Sequence, residues 1–107
     1  IASNHASHAE YAIQALDAGK DVHIEKPHVV SEDQLARLVE AVKRTRGRVF
    51  LGFNRPVSRF GRLTMDYLGE QSGPGVYSWF VVGMFLEPDH WYHRDGEGGR
   101  VLGNICH

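Results

Sequence analysis

The chain holds a single cysteine, Cys106, among 107 residues. One thiol cannot close an intramolecular disulfide, so a cross-linked secreted scaffold is excluded and a reducing cytoplasm is the expected compartment. It lacks any uninterrupted apolar run of the ~18 residues that a membrane-spanning helix needs. It also lacks a charge excess: 12 Lys and Arg face 13 Asp and Glu, a net charge of −1 with the seven histidines neutral. That balance gives no basic footprint for nucleic acid and no attraction to an anionic membrane. What remains, at 42% hydrophobic and 23% charged residues, is close to the average of a soluble globular domain.

The apolar pattern predicts an alternation of strands and helices. Ser7-His8-Ala9-Glu10 reads as a capping box, and Ala9, Ala12, Ile13 and Leu16 follow at helical spacing up to a glycine stop at Gly19. Val22 to Ile24 is a short strand. Ser31-Glu32-Asp33-Gln34 is a second capping box, with Leu35, Leu38, Val39 and Val42 as the expected buried stripe and Gly47 as the stop. Val49 to Phe53 is nearly continuous in apolar residues, as in a strand covered on both faces. With Ile1 inside an apparent strand end, the order is strand, helix, strand, helix, strand. Short connections then imply a parallel sheet, one half of a doubly wound α/β domain.

Asn54-Arg55-Pro56 breaks this grammar. A weaker helix is expected over residues 58–68, a turn-rich linker over 69–75, a β-prone run over 75–83 and a polar loop over 87–99. Gly98-Gly99 then leads into a helix start toward His107. The boundary expected from this change separates residues 1–57 from residues 58–107. Because Ile1 lies within a strand end and no stop signal precedes His107, the chain is expected to be an internal piece of a longer protein.

In a parallel sheet, ligands bind at the carboxyl ends of the strands. Each strand end here carries polar groups: Asn4, His5 and His8 at the first, Glu25, Lys26, Pro27 and His28 at the second, Asn54 and Arg55 at the third. Lys26 follows an apolar strand directly, and Pro27 ends further ladder pairing because it has no N–H. An X–Pro bond in such a turn is expected to be cis. A second polar cluster, His90, Trp91, Tyr92, His93, Asp95, Arg100, Asn104 and His107, follows in the other half.

Ala2-Ser3-Asn4 through His8, Ala18-Gly19-Lys20, Glu25-Lys26-Pro27, Gly52-Phe53-Asn54-Arg55 and Gly98-Gly99-Arg100 running to His107 together resemble the Gfo/Idh/MocA oxidoreductases, the family of glucose–fructose oxidoreductase and inositol dehydrogenase. The resemblance implies the second half of a Rossmann-type domain over residues 1–57, then the start of an α/β domain with a mostly antiparallel sheet that binds substrate and assembles subunits. It implies hydride transfer between NAD or NADP and a sugar, inositol or related polyol, in a homo-oligomer formed through that sheet. Carried over residue by residue, Lys26 and His107 match the active-site lysine and histidine. Asn4, His8, Glu25, Lys26, Pro27, Asn54 and Arg55 fall on the cofactor side, and Trp91, Arg100 and Asn104 on the substrate side. No resident metal is implied. The chemistry suits these types, since an alcohol that loses hydride also loses a proton to a base, and an ammonium steadies the developing alkoxide.

Two departures stand out. Many members carry an aspartate four residues before the histidine, where this chain has Gly103. The Gly-x-Gly-x-x-Gly phosphate loop and the ribose-binding acid are absent from residues 1–107. The sequence therefore leaves a rival reading open: a non-catalytic member that binds a nucleotide or sugar as a sensor or partner module. A third, a metal-dependent hydrolase, would rest on the histidine pairs His5/His8 and His90/His93.

Overall fold

The computed structural model of the protein describes residues 1–70, 73–76, 78, 83 and 85–105; for 104 and 105 only the backbone is described. A 3₁₀ turn over His5–Ser7 leads into α1 (His8–Asp17), followed by β1 (Val22–Ile24), α2 (Glu32–Thr45), β2 (Val49–Leu51) and α3 (Arg59–Gly69). A second 3₁₀ turn covers Trp91–His93, and a π-type turn covers Val101–Ile105.

β1 and β2 pair in parallel, Val22 opposite Val49 and Ile24 opposite Leu51. The Val22 N–H donates to the Arg48 carbonyl and the Gly52 N–H to the Ile24 carbonyl, at 2.9 and 2.8 Å. The alternate residues of β1 turn their backbone groups the other way. There the Ile1 nitrogen donates to the His23 carbonyl at 2.6 Å, and the Glu25 N–H donates to the Ile1 carbonyl at 2.9 Å. Ile1 is thus a strand end beside β1, and β1 lies between Ile1 and β2. Both crossovers step sideways in the same direction, and α1 and α2 pack together over the sheet. Ala12, Leu16, Val22, Ile24, Leu38 and Ala41 form the buried core between them.

Several local expectations need correction. Ser7 is already helical (φ −93°, ψ −9°) and caps nothing; its hydroxyl donates to the Asn4 carbonyl at 2.8 Å, because the helical turn starts three residues earlier than the capping box implied. Glu10 pairs instead with Arg37 at 2.5 Å. Ser31 does cap α2, accepting from the Gln34 N–H at 3.2 Å. The Gln34 amide does not return to the cap residue but accepts from the Val30 N–H and donates to the Ala6 carbonyl. The buried stripe of α2 is Gln34, Leu38 and Ala41, whereas Leu35 is 50% exposed. The α2 stop is Arg46 in the left-handed region (φ 57°). Gly47 is needed for space, since a Cβ there would stand 2.5 Å from a Leu16 methyl. The helix stop at Gly19 holds: the Gly19 and Lys20 N–H groups bond back to Leu16 and Ala15, the two bonds of a Schellman motif.

β2 is not covered on both faces among the described residues. His23 and Phe50 point away from the helices, Phe50 is 51% exposed, and a groove of about 550 Å³ runs past them to Gly52, Phe53, Asn54 and Val57. α3, capped by Ser58 through the Gly61 N–H, buries none of its residues; Phe60 is 81% exposed. Of the expected β-prone run, Tyr77, Trp79, Phe80, Val81 and Val82 lie outside the described residues, as do Met84, Cys106 and His107. No helix among the described residues is long and apolar enough to cross a membrane.

The core and the surface ion pairs should respond very differently to truncation. Ile24→Ala is expected to remove about 2–5 kcal/mol of stability through lost burial and a residual cavity. Arg37→Ala, which breaks only exposed pairs with Glu10 and Asp33, is expected to leave stability nearly unchanged. Urea denaturation midpoints of the two variants check both outcomes.

Candidate active site

The site is assembled where Ile1, β1 and β2 end on one edge. The first of these ends turns at Asn4, which is extended (φ −68°, ψ 150°), and its carbonyl receives the Ser7 N–H at 3.1 Å. His8, buried at the start of α1, spans two backbone segments. Its Nδ1 lies 2.7 Å from the Pro27 carbonyl, and its Nε2 lies 3.2 Å from the Ser3 nitrogen and 2.9 Å from the Ser3 carbonyl. A carbonyl only accepts, so Nδ1 donates to Pro27, while Nε2 lies against both the N–H and the carbonyl of Ser3. His8 therefore acts through the turn it holds.

That turn carries the lysine. The Lys26–Pro27 peptide is cis, as expected. The Lys26 ammonium donates to the Gly103 carbonyl, far along the chain and four positions before His107 in sequence. Burial pushes its pKa below the ordinary lysine value, the nearby Arg55 charge adds to this, and Glu25 opposes it. The Glu25 carboxyl packs over Gly52, where a Cβ would stand 3.0 Å from the Ile24 carbonyl and 3.1 Å from the carboxyl carbon. Asn54 is exposed and Arg55 half-buried beyond β2. His28 packs edge-on to Phe53 at 4.7 Å, its Nε2 is buried without a hydrogen bond, and burial lowers its pKa.

The polar loop closes over the first strand end. Trp91 and Tyr92 each bring a ring to 4.6 Å from His5. His5 is buried, and its Nδ1 bonds to the Glu97 carbonyl at 2.9 Å. Burial lowers its pKa, with the Glu97 carbonyl opposing the shift and His8 and Lys26 reinforcing it. These rings account for the missing aspartate. A Cβ on Gly103 would stand 2.6 Å from His5 Cε1 and 2.9 Å from Tyr92 Cε2, so the space that a side chain would need is already filled.

The structure thus brings together Asn4, His8, Glu25, Lys26 and Pro27, with Trp91 joining them through His5. The Arg100 guanidinium lies against Gly83, and the Asn104 side chain and His107 are outside the described residues. His5 and His8 keep their Nδ1 atoms on backbone carbonyls, and among the described residues no group of three His, Cys, Asp or Glu is arranged to hold a metal. Sequence reasoning missed Glu97. Its side chain accepts from the Asn4 amide at 2.7 Å and from the Ala6 N–H at 3.0 Å. Nothing in local spacing signalled this, because the partners are more than ninety residues apart.

Residues 1–53 match the family model described as an oxidoreductase family with an NAD-binding Rossmann fold, GFO_IDH_MocA. A 55-residue stretch, 51% of the chain, is 42% identical to Oxidoreductase P35 of Formosa agariphila. That alignment covers 17% of the relative's length.

The charge environment of Lys26 is directly testable. Arg55→Gln should raise the Lys26 pKa toward the ordinary lysine value, and Glu25→Gln should lower it further. NMR titration of labelled lysine checks both signs. Between its lowered folded value and its ordinary value the unfolded chain binds more protons, so this group alone makes stability rise with pH over that alkaline window.

Proposed function

The chain belongs, through residues 1–53, to the Gfo/Idh/MocA family of NAD-binding Rossmann oxidoreductases, and on that footing we propose that the full-length protein is a dehydrogenase of sugars, inositols or related polyols. The cofactor is NAD or NADP. One observation carries the reading: the amine of Lys26, delivered at the carboxyl end of β1, meets the backbone of the segment that leads to His107.

The donors at the strand ends suit a dinucleotide. The Lys26 ammonium, the Arg55 guanidinium and the Asn54 amide all lie on the edge where such a ligand is expected, and Gly52 keeps the groove beside Glu25 open. No glycine-rich cradle for the pyrophosphate lies within residues 1–107. The nicotinamide, when bound, supplies the hydride acceptor or donor.

In this reading the chain's own groups handle the substrate oxygen. Lys26 donates to the hydroxyl oxygen and steadies negative charge as it develops there. A lowered amine pKa keeps its proton easier to share near neutral pH. His107 takes the hydroxyl proton during oxidation and returns it during reduction. Trp91, Arg100 and Asn104 contact the sugar. His8 and Pro27 hold the turn that aims Lys26. The glycine at 103 does not by itself favour a non-catalytic member, since packing against His5 and Tyr92 accounts for it. The exposed apolar residues Phe60, Leu63 and Met65 of α3 support a substrate and assembly domain that begins at residue 58, in a homo-oligomer.

Turnover of a panel of sugars and polyols, followed through nicotinamide absorbance, tests the proposal in the full-length protein. Lys26→Ala is expected to lower kcat by about 10²–10⁴-fold while leaving cofactor binding measurable. Tight binding of cofactor or sugar with no turnover of any panel member would replace this reading by the non-catalytic one.

A further inference from the structure

Glu97 is 7% exposed. Taking a carboxylate out of water is costly unless donors meet it. Here each oxygen has one: Oε1 accepts from the Asn4 Nδ2 and Oε2 from the Ala6 N–H. The Ala6 N–H belongs to the opening turn before α1, where backbone donors have no helical partner and the helix dipole favours an anion. The Glu97 carbonyl takes the His5 Nδ1–H as well. One residue thus contacts three consecutive residues at the first strand end. Burial pushes its carboxyl pKa up, but Asn4, Ala6 and His5 together outweigh burial and hold it below the usual range.

The consequence reaches Lys26. Gly98 and Gly99 follow, both at positive φ (79° and 69°). A Cβ on Gly98 would stand 3.0 Å from both Val30 and Leu102, so the backbone turns close against its neighbours. The turn then presents the Gly103 carbonyl to Lys26 and its Cα to the His5 and Tyr92 rings. The segment 97–103 is therefore pinned at one end by a carboxylate and at the other by the amine assigned to the chemistry.

We infer that Glu97 is a positioning residue: its carboxylate latches segment 97–103 onto the turn at residues 4–6, and that latch sets the orientation of the Asn4 amide and of the Lys26 amine. The role rests on the dehydrogenase reading, but the geometry does not. An amide at position 97 has only one accepting oxygen. It keeps Ala6 or Asn4, and its NH₂ faces the other donor. When Ala6 is kept, restoring the Asn4 contact requires that amide to turn over, which puts its oxygen where its nitrogen was; when Asn4 is kept, the Ala6 N–H loses its acceptor. The carboxylate avoids this conflict because both its oxygens accept.

The test uses the full-length protein with Glu97→Gln and Glu97→Ala. Glu97→Gln is expected to remain folded and, as segment 97–103 loosens, to shift the Lys26 amine signal and to open the His5 Nδ1–H to solvent exchange. Through misplacement of the reacting groups it should lower kcat/KM by about a hundredfold, with a rise in KM for the cofactor included in the loss. In the unsubstituted protein the Ala6 N–H should be protected from hydrogen exchange, which requires no variant to fold. A folded Glu97→Gln protein with unchanged Lys26 and His5 signals would overturn the inference, and so would a freely exchanging Ala6 N–H. If the unsubstituted protein turns over no polyol, the dehydrogenase reading fails, yet the two NMR signals and the exchange rate still decide the latch.

Discussion

β1 hydrogen-bonds on both sides, and the site depends on that. Val22 and Ile24 turn their backbone groups to β2, while His23 and Glu25 turn theirs to Ile1. A strand with neighbours on both edges brings three chain segments to one end in the same direction. Asn4, Lys26 and Asn54 are remote in sequence, yet they leave the sheet within a few residues of paired positions. A slip of one residue would turn Val22 and Ile24 out of the core and Lys26 away from the edge. Burial of Val22 and Ile24 against Leu16 and Leu38 thus helps to hold the register that places Lys26 at this edge.

Around that edge, polar side chains act as struts. His8 ties the first strand end to the cis-proline turn, Gln34 ties the start of α2 to Ala6, and Glu97 ties the later loop to Asn4 and Ala6. All three converge on the short turn that starts α1. Groups of this kind are costly when unpaired and contribute only modestly when paired. Their main effect is to specify one arrangement. The exposed pairs of Arg37, Arg44 and Arg48 with acids have no comparable hold on the site.

The electrostatics of the edge push in one direction. Burial depresses the pKa values of His5, His28 and Lys26, and the positive groups reinforce one another: His8 and Lys26 act on His5, and Arg55 acts on Lys26. Glu97 and Glu25 are the counterweights. A cluster that loses protons readily is suited to moving a proton to and from an alcohol oxygen, which is the demand that the proposed hydride transfer makes.

How much of this was legible in the sequence differs by feature. The βαβαβ order, the helix end at Gly19, the Ser31 cap, the helix that starts near Ser58 and the position of Lys26 after an apolar strand all follow from local patterning, because propensity, capping and period are properties of neighbours along the chain. The capping role of Ser7, the buried place of Leu35 and Val39, and the stop of α2 at Gly47 are where the structure departs from local patterning. Each depended on what packs alongside: the earlier turn at Asn4, the side of α2 facing α1, and the methyl of Leu16. Glu97 and the fit of Gly103 against His5 were beyond the reach of local spacing, since both arise from contacts between segments some ninety residues apart. The sequence alone determined which residues could do chemistry and on which elements they ride. Only the tertiary structure decided which of them meet, because a buried carboxylate, an imidazole and an ammonium choose partners by the space and hydrogen-bond donors that distant backbone supplies.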